Sequence, residues 1–378
     1  MLELELETRT ANMNALSIYL HIPFCKNLCP FCNFYRVPQI PDWNKYLDAV
    51  VREIDSLEIP AGKNVYTIYA GGGTPTLLPP DFYRSLFKVL DDRLDLSGLA
   101  EATLETDGTA TEKDLAAYAR TGFDRISMGL KTFDPGMREI LGVGELPETE
   151  PVADCRSAGF SSVGLDLVYG VDGQSMEDHA EDVARMIVLD PDHISLYMLQ
   201  GPENGQPGEG DADLAAAMYR ESARMLRSAG YRQYEITNFA RPGEESLHNK
   251  VYWEDGDFIG LGPSAHSSIT MDGVRDRWRN LPDINSYLKD PLSCREELSR
   301  EEGTDRAREA LILALRMTKG VSRSSFTLRY GYDPMQLLNP HVDELTELGL
   351  IKFSAHSVRL TTRGILLSNE VFVRVLGD

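Results

Sequence analysis

This chain is short of the features that would fix it in a membrane, outside the cell or on a nucleic acid. No apolar run approaches the roughly 20 residues that cross a bilayer, so no transmembrane segment is expected. The opening residues MLELELETRT are acidic and lack the apolar stretch of a secretory signal, which predicts a cytoplasmic protein. Basic residues are outnumbered, 38 Lys and Arg against 59 Asp and Glu, for a formal net charge of −21. Such an acidic surface repels phosphate backbones, and no nucleic-acid partner is expected. Only five cysteines occur among 378 residues, too few and too uneven for a secreted disulfide framework. Cys155 and Cys294 stand alone and read as buried, inert thiols. No internal repeat is seen beyond an alternation of strands and helices, and no low-complexity tract.

What the chain does have is a concentration of cysteine at one place. Cys25, Cys29 and Cys32 lie in HIPFCKNLCPFCNF with CxxxCxxC spacing, directly after the strand-like run ALSIYLHI. They therefore sit on the loop leaving a strand's C-terminal end. Three thiolates on one loop suit a [4Fe–4S] cluster, with three irons held by sulfur and one left open to a small chelating ligand. Two other readings use the same residues. A CxxC pair can serve redox exchange, and a zinc site is complete if His21 supplies a fourth ligand.

Six strand-like runs, Leu16–Ile22, Val65–Ala70, Ala102–Thr106, Arg125–Leu130, Ser162–Tyr169 and His193–Leu199, alternate with amphipathic helical stretches. Repeated βα units predict an α/β fold with a parallel sheet and outer helices, and the count suits a partial (β/α)6 barrel. Ligands in such folds collect at the C-terminal strand ends. The Gly-, Pro- and acid-rich segment QGPENGQPGEGDAD predicts a long loop, and YEITNF a further strand. Composition shifts near Leu281–Glu301, which divides the chain into 1–290 and 300–378. The second part predicts helices REALILALRMTKG, SRSSFTLRYG and DPMQLLNPHVDELTELG, a hairpin LIKFSAHSVRLTT and a closing helix. That order is winged-helix-like. With no basic recognition helix, it reads as a packing lid on the barrel rather than a DNA reader.

Several motifs in order, YLHIPFCxxxCxFCNF, YAGGGTPT, DRISMG, GLDLVYG, HISLY, YEITNFA and HNKVYW, resemble the radical S-adenosylmethionine (SAM) superfamily. The resemblance runs from about Leu16 to the C-terminus. It is to the branch of the oxygen-independent coproporphyrinogen III oxidases, and within it to the HemW family of haem chaperones. It implies a [4Fe–4S] cluster on Cys25, Cys29 and Cys32, with SAM on the open iron. It also implies that Tyr19 contacts the SAM carboxylate, that Phe31 lies against the adenine, and that Asp166 contacts the ribose. The glycine run Gly71, Gly72 and Gly73 with Thr74 serves the methionine part. Its free N–H groups are expected to meet the ligand. Glu105, ending the third strand, is placed to accept from an ammonium or a ribose hydroxyl.

The chain departs from that family at named points. Asn33 follows Cys32 where the oxidases place Gly-Cys. Glu105 continues as Glu-Thr-Asp-Gly rather than Glu-x-Asn-Pro. Lys131 replaces a SAM-contacting glutamine, and Val143 stands where an arginine is expected. His248 opens HNKVYW, an element associated with haem attachment in the chaperones, and imidazole is a usual haem ligand. The plainer role for His248 is a hydrogen bond between loops. His266, in GLGPSAHSS, ranks behind it as a haem- or substrate-side residue. The resemblance implies a haem chaperone that passes haem, or another porphyrin-like ligand, to a client protein. The alternative is a radical SAM enzyme, a methyltransferase or porphyrin-modifying enzyme before a coproporphyrinogen dehydrogenase.

Overall fold

The computed structural model describes residues 15–39, 42–60, 62–146, 150–199 and 211–377. The acidic opening segment and most of the Gly- and Pro-rich loop fall outside the described residues.

The six expected strands form within a residue or two of their predicted limits: β1 (Ala15–Ile22), β2 (Asn64–Gly72), β3 (Glu101–Thr106), β4 (Arg125–Lys131), β5 (Ser162–Tyr169) and β6 (His193–Met198). They pair in sequence order, all parallel. Helices return the chain between them. The first, α1 (Trp43–Asp55), is capped by the Asp42 carboxylate accepting from Asn44 N, and buries Tyr46, Ala49, Val50 and Ile54. Burial of Val50 and Ile54 contributes about 1.5–3 kcal/mol each.

β1 shows how the sheet is built. Leu16, Ile18, Leu20 and Ile22 are buried in the main apolar core with the α1 side chains. Ser17, Tyr19 and His21 alternate with them and point inward. Inward side chains from separated strands meet: the Tyr69 phenol of β2 lies within the electrostatic reach of Asp166 on β5 and Tyr197 on β6. The sheet is therefore curved into an open barrel with a polar lumen.

Sequence reading missed the strands that follow. β7 (Arg232–Gln233) and β8 (Asn238–Ala240) are short and extend the β6 edge antiparallel. The YEITNF run does not form one strand, because the buried Glu235 carboxylate bends back to accept from Thr237 N and Oγ1 at 2.9 and 2.6 Å. On the other side, β9 (Asp257–Leu261) runs parallel beside β1. Antiparallel β10 (His266–Met271), β11 (Val274–Asn280) and β12 (Arg295–Glu301) continue outward to complete a 12-stranded sheet.

A second hydrophobic core, from Ala307 to Val375, gathers the C-terminal helices around a three-stranded sheet. The predicted helix DPMQLLNPHVDELTELG is two helices, Pro334–Leu338 and Val342–Glu347. Pro340 has no N–H to continue the first and disfavours a helical Asn339. This part packs on the barrel end opposite the cysteine loop. Its anchor is the buried Asp255, which immediately precedes β9's N-terminal end. Asp255 accepts from Arg275 and, at 2.7 Å, from the Tyr330 hydroxyl, and lies 3.7 Å from both Arg306 and Arg329.

Candidate functional site

The three cysteines leave the C-terminal end of β1 on a loop closed at its base. Val37 N donates to Pro23 O at 2.7 Å and Cys25 N to Val37 O at 3.1 Å. Cys25 is buried, Cys29 and Cys32 are half-buried, and all three are free thiols. Burial pushes the Cys25 and Cys29 thiols up, and the nearby Arg36 guanidinium opposes that. Cys155 and Cys294 are buried elsewhere, with Cys155 pushed up to about 12 by burial.

His21 does not complete a zinc site. Its Nε2 donates to Tyr35 O at 2.9 Å, so Nδ1 of the neutral ring accepts from the Tyr19 hydroxyl at 3.0 Å. Burial holds its pKa down to about 4. Among the described residues no three His, Cys, Asp or Glu side chains gather for a single metal ion. The donor set fits a cluster instead: three free thiols on one loop, beside Gly73, where an added Cβ would lie 3.0 Å from Cys25 Sγ.

The glycine run differs from expectation. Gly72 N donates to Glu105 Oε2 at 3.1 Å, Gly73 N to Ile22 O at 2.7 Å and Thr74 N to Phe24 O at 2.7 Å. These N–H groups are committed to the protein. The glycines are required because the two chains approach too closely for side chains. A Cβ on Gly72, whose φ is +104°, would sit 2.5 Å from the His21 ring, and one on Gly73 2.6 Å from Phe24 O.

Above β3, β4 and β5 stand the charged groups. Glu105 accepts from the Tyr69 hydroxyl at 2.7 Å, and burial pushes its carboxyl up despite that bond. Asp166 accepts from Ser127 Oγ at 3.2 Å and lies 3.9 Å from Lys131 Nζ. Lys131 has a left-handed backbone, φ +72°, which a side chain adopts at a cost. Arg138 holds this turn, donating to Leu130 O at 2.7 Å and Thr132 O at 2.6 Å, and Asp182 accepts from Phe133 N at 2.8 Å on its other side. Phe31 packs partly buried with Met137, Leu141, Val168, Val171 and Leu199, and Val143 joins that apolar cluster. Arginine at position 143 would place a charge in it.

The two histidines stand in opposite environments. His248 lies on α8 (Leu247–Trp253), inserted in the lower lumen, and its ring is buried. Nδ1 is bonded to Thr67 Oγ1 at 2.7 Å and Nε2 to the Tyr252 hydroxyl at 2.8 Å. Burial lowers its pKa to about 3. For His248 to ligate haem, one of its ring nitrogens would first have to give up its partner. Glu101, at the lower end of β3, caps this helix by accepting from Leu247 N and His248 N at 2.9 and 3.0 Å. His266, in contrast, opens β10 beside the C-terminal end of β9; it is exposed, and its ring makes no hydrogen bond among the described residues. Its supporting loop is held by the buried Glu53, which accepts from Gly262 N at 3.0 Å and Asn280 Nδ2 at 2.6 Å. Glu53, Arg36, Arg138 and Glu101 carried no motif signal, because each acts through contacts distant in sequence or through its own fold position.

The chain is similar to known proteins over almost its whole length. Residues 19–186 match the radical SAM superfamily and residues 302–367 the HemN C-terminal domain. The chain is 32% identical to "Heme chaperone HemW" of Bacillus subtilis, over 96% of this chain and 99% of that protein. It is 30% identical to the protein of that name from Lactococcus lactis, over 96% and 97%. The solved structure of coproporphyrinogen III oxidase (HemN) from Escherichia coli superposes with a TM-score of 0.79 at 23% identity, over 97% of this chain and 91% of that one. That likeness establishes the shared fold. No helix among the described residues is long and apolar enough to cross a membrane.

Proposed function

The chain belongs to the HemW family of radical SAM proteins, and from that premise we propose that it is a cytoplasmic haem chaperone that binds a [4Fe–4S] cluster, SAM and haem. The observation that carries this reading is the match to proteins named as haem chaperones over 96% of the chain, barrel and C-terminal part alike. The acceptor of haem would be a client protein.

Cys25, Cys29 and Cys32 would hold the cluster, which when bound supplies an iron with an open position and a low-potential electron. Asp166 and Glu105 offer carboxylate acceptors for a ribose hydroxyl and an ammonium. Tyr19, Phe31 and the Gly72–Thr74 segment shape the adjoining wall, and Lys131 moderates the carboxylates' charge. For haem, His266 is the better-supported ligand. Its edge is open to solvent, while partial desolvation of the ring and then the nearby Arg279 and Arg277 hold its pKa down, which favours the neutral form that binds iron, and it stands on the cysteine side of the barrel. Residues 300–378 act as a lid on the opposite end, supported by the Asp255 cluster.

Anaerobically reconstituted protein should retain haem, followed at the Soret band, while SAM cleavage is followed in parallel as 5′-deoxyadenosine release. Haem retention no greater than that of an unrelated acidic protein overturns the chaperone reading. Deoxyadenosine release in that case moves the assignment to a radical SAM enzyme.

A further inference from the structure

Arg36 is tied to the cysteine loop by one side-chain hydrogen bond among the described residues, which does not account for its other donors. It lies four residues past Cys32, and its Nη2 donates to the Cys29 carbonyl oxygen at 2.6 Å. This draws the guanidinium in against the loop. Its Nε and Nη1 atoms are shut off from solvent and donate to nothing among the described residues. No carboxylate among the described residues forms an ion pair with it. Burying charged donors without an acceptor is costly, and a guanidinium cannot escape by losing its proton. Two such donors beside three thiols imply an anionic acceptor at that place.

We propose that Arg36 is the charge partner of the cluster, its two unpaired donors serving the cluster's sulfur atoms and its charge making the cluster easier to reduce. This rests on the reading of Cys25, Cys29 and Cys32 as cluster ligands. With three thiolates, the oxidised [4Fe–4S] unit carries one net negative charge. It takes one electron from a one-electron donor and then carries two, with no bond made or broken. A fixed cation stabilises the second charge beyond the first, so the reduction potential rises. Arg36 is a positioning and tuning residue; nothing in the structure gives it contact with reacting atoms.

The test uses the full chain, reconstituted anaerobically, with dithionite titrations followed by electron paramagnetic resonance. Arg36→Gln should keep iron and sulfide near wild type but be reduced at a more negative potential, leaving about tenfold less reduced cluster at the wild-type midpoint. Arg36→Lys keeps the charge, loses the fork and should stay near wild type. An unchanged potential in Arg36→Gln overturns the proposal, as does an equal fall in Arg36→Lys. A change that needs SAM present also overturns it, and reassigns Arg36 to the SAM carboxylate. If Arg36→Gln fails to assemble a cluster, Arg36→Lys decides. Assembly at the wild-type potential supports a charge role, and failure of both shows that the bond to the Cys29 carbonyl is all that matters. Wild-type protein that takes up no cluster is a separate result, which removes the cluster reading itself.

Discussion

Two levels of the same lumen use similar residue types to opposite ends. Around His248, donors and acceptors are matched in a chain that runs Tyr252, His248, Thr67 and Ser17, each link at 2.7–2.8 Å. Helix α8 is pinned there by the Glu101 carboxylate. Around the cysteine loop the matching stops. Among the described residues two Arg36 donors have no acceptor and the His266 ring makes no hydrogen bond, Lys131 reaches Asp166 only at 3.9 Å, and its backbone is left-handed. A satisfied buried network rigidifies a fold, whereas unmatched polar groups mark where a ligand completes the structure. The motif HNKVYW thus belongs to the first level, although its residue types suit the second.

The largest expected effect tests whether the upper level is a cluster site. Cys29→Ala should abolish the broad visible absorption and most of the bound iron and sulfide of reconstituted protein. His248→Ala should leave both unchanged. Equal cluster loss in the two variants would erase the distinction between the levels.

A stability measurement probes the lower level. His248→Ala removes a buried ring and strands the Tyr252 hydroxyl, with an expected loss of about 2–4 kcal/mol in denaturant unfolding. The pH dependence has a fixed sign. His248 and His21, held to about 3 and about 4, stay neutral in the folded chain while the unfolded chain protonates them below about 6.5. Stability is therefore full above that pH and falls as pH drops from about 6.5 toward the folded values. The loss follows a slope of up to about 1.4 kcal/mol per pH unit for each histidine and accumulates to about 2 kcal/mol per histidine by pH 5. His248→Gln should flatten it. A slope unaltered by that change would mean His248 is not held neutral by burial.

The smallest effect is at Lys131. SAM carries a sulfonium and an ammonium, so Lys131 competes with it for Asp166 and Glu105. Lys131→Gln should tighten SAM binding roughly three- to tenfold by calorimetry, and Lys131→Gly should add about 1 kcal/mol of stability by relieving the left-handed backbone. Weaker SAM binding in Lys131→Gln would make the lysine a ligand contact of its own. The arginine expected at 143 is no remedy, since Val143 packs against the same apolar cluster as Phe31.

Much of this molecule is legible without coordinates. The apolar positions of Leu16–Ile22, the spacing of Cys25, Cys29 and Cys32, and the run Gly71–Gly73 are local patterns, and local patterns dictate strands, loop chemistry and close backbone approach. They located six strands and one end of the barrel. The pairing of β9 with β1 joins residues more than 200 apart, and nothing in the short run DFIGL announces it.

The same limit applies to hydrogen-bond partners. His248 and His266 are alike as residues in a sequence, and both follow motifs that suit ligand binding. Which one is buried between Thr67 and Tyr252, and which stands open at a strand end, depends on where α8 inserts and where β9 stops. Likewise the glycine run is visible in the sequence, but what makes Gly72 and Gly73 necessary, the His21 ring and the Phe24 carbonyl, and the Glu105 and Ile22 acceptors of their N–H groups all arrive from elsewhere in the chain. Residue type and spacing determine what chemistry is possible at a position. Burial and partner choice are long-range properties, fixed only when the sheet closes around the lumen.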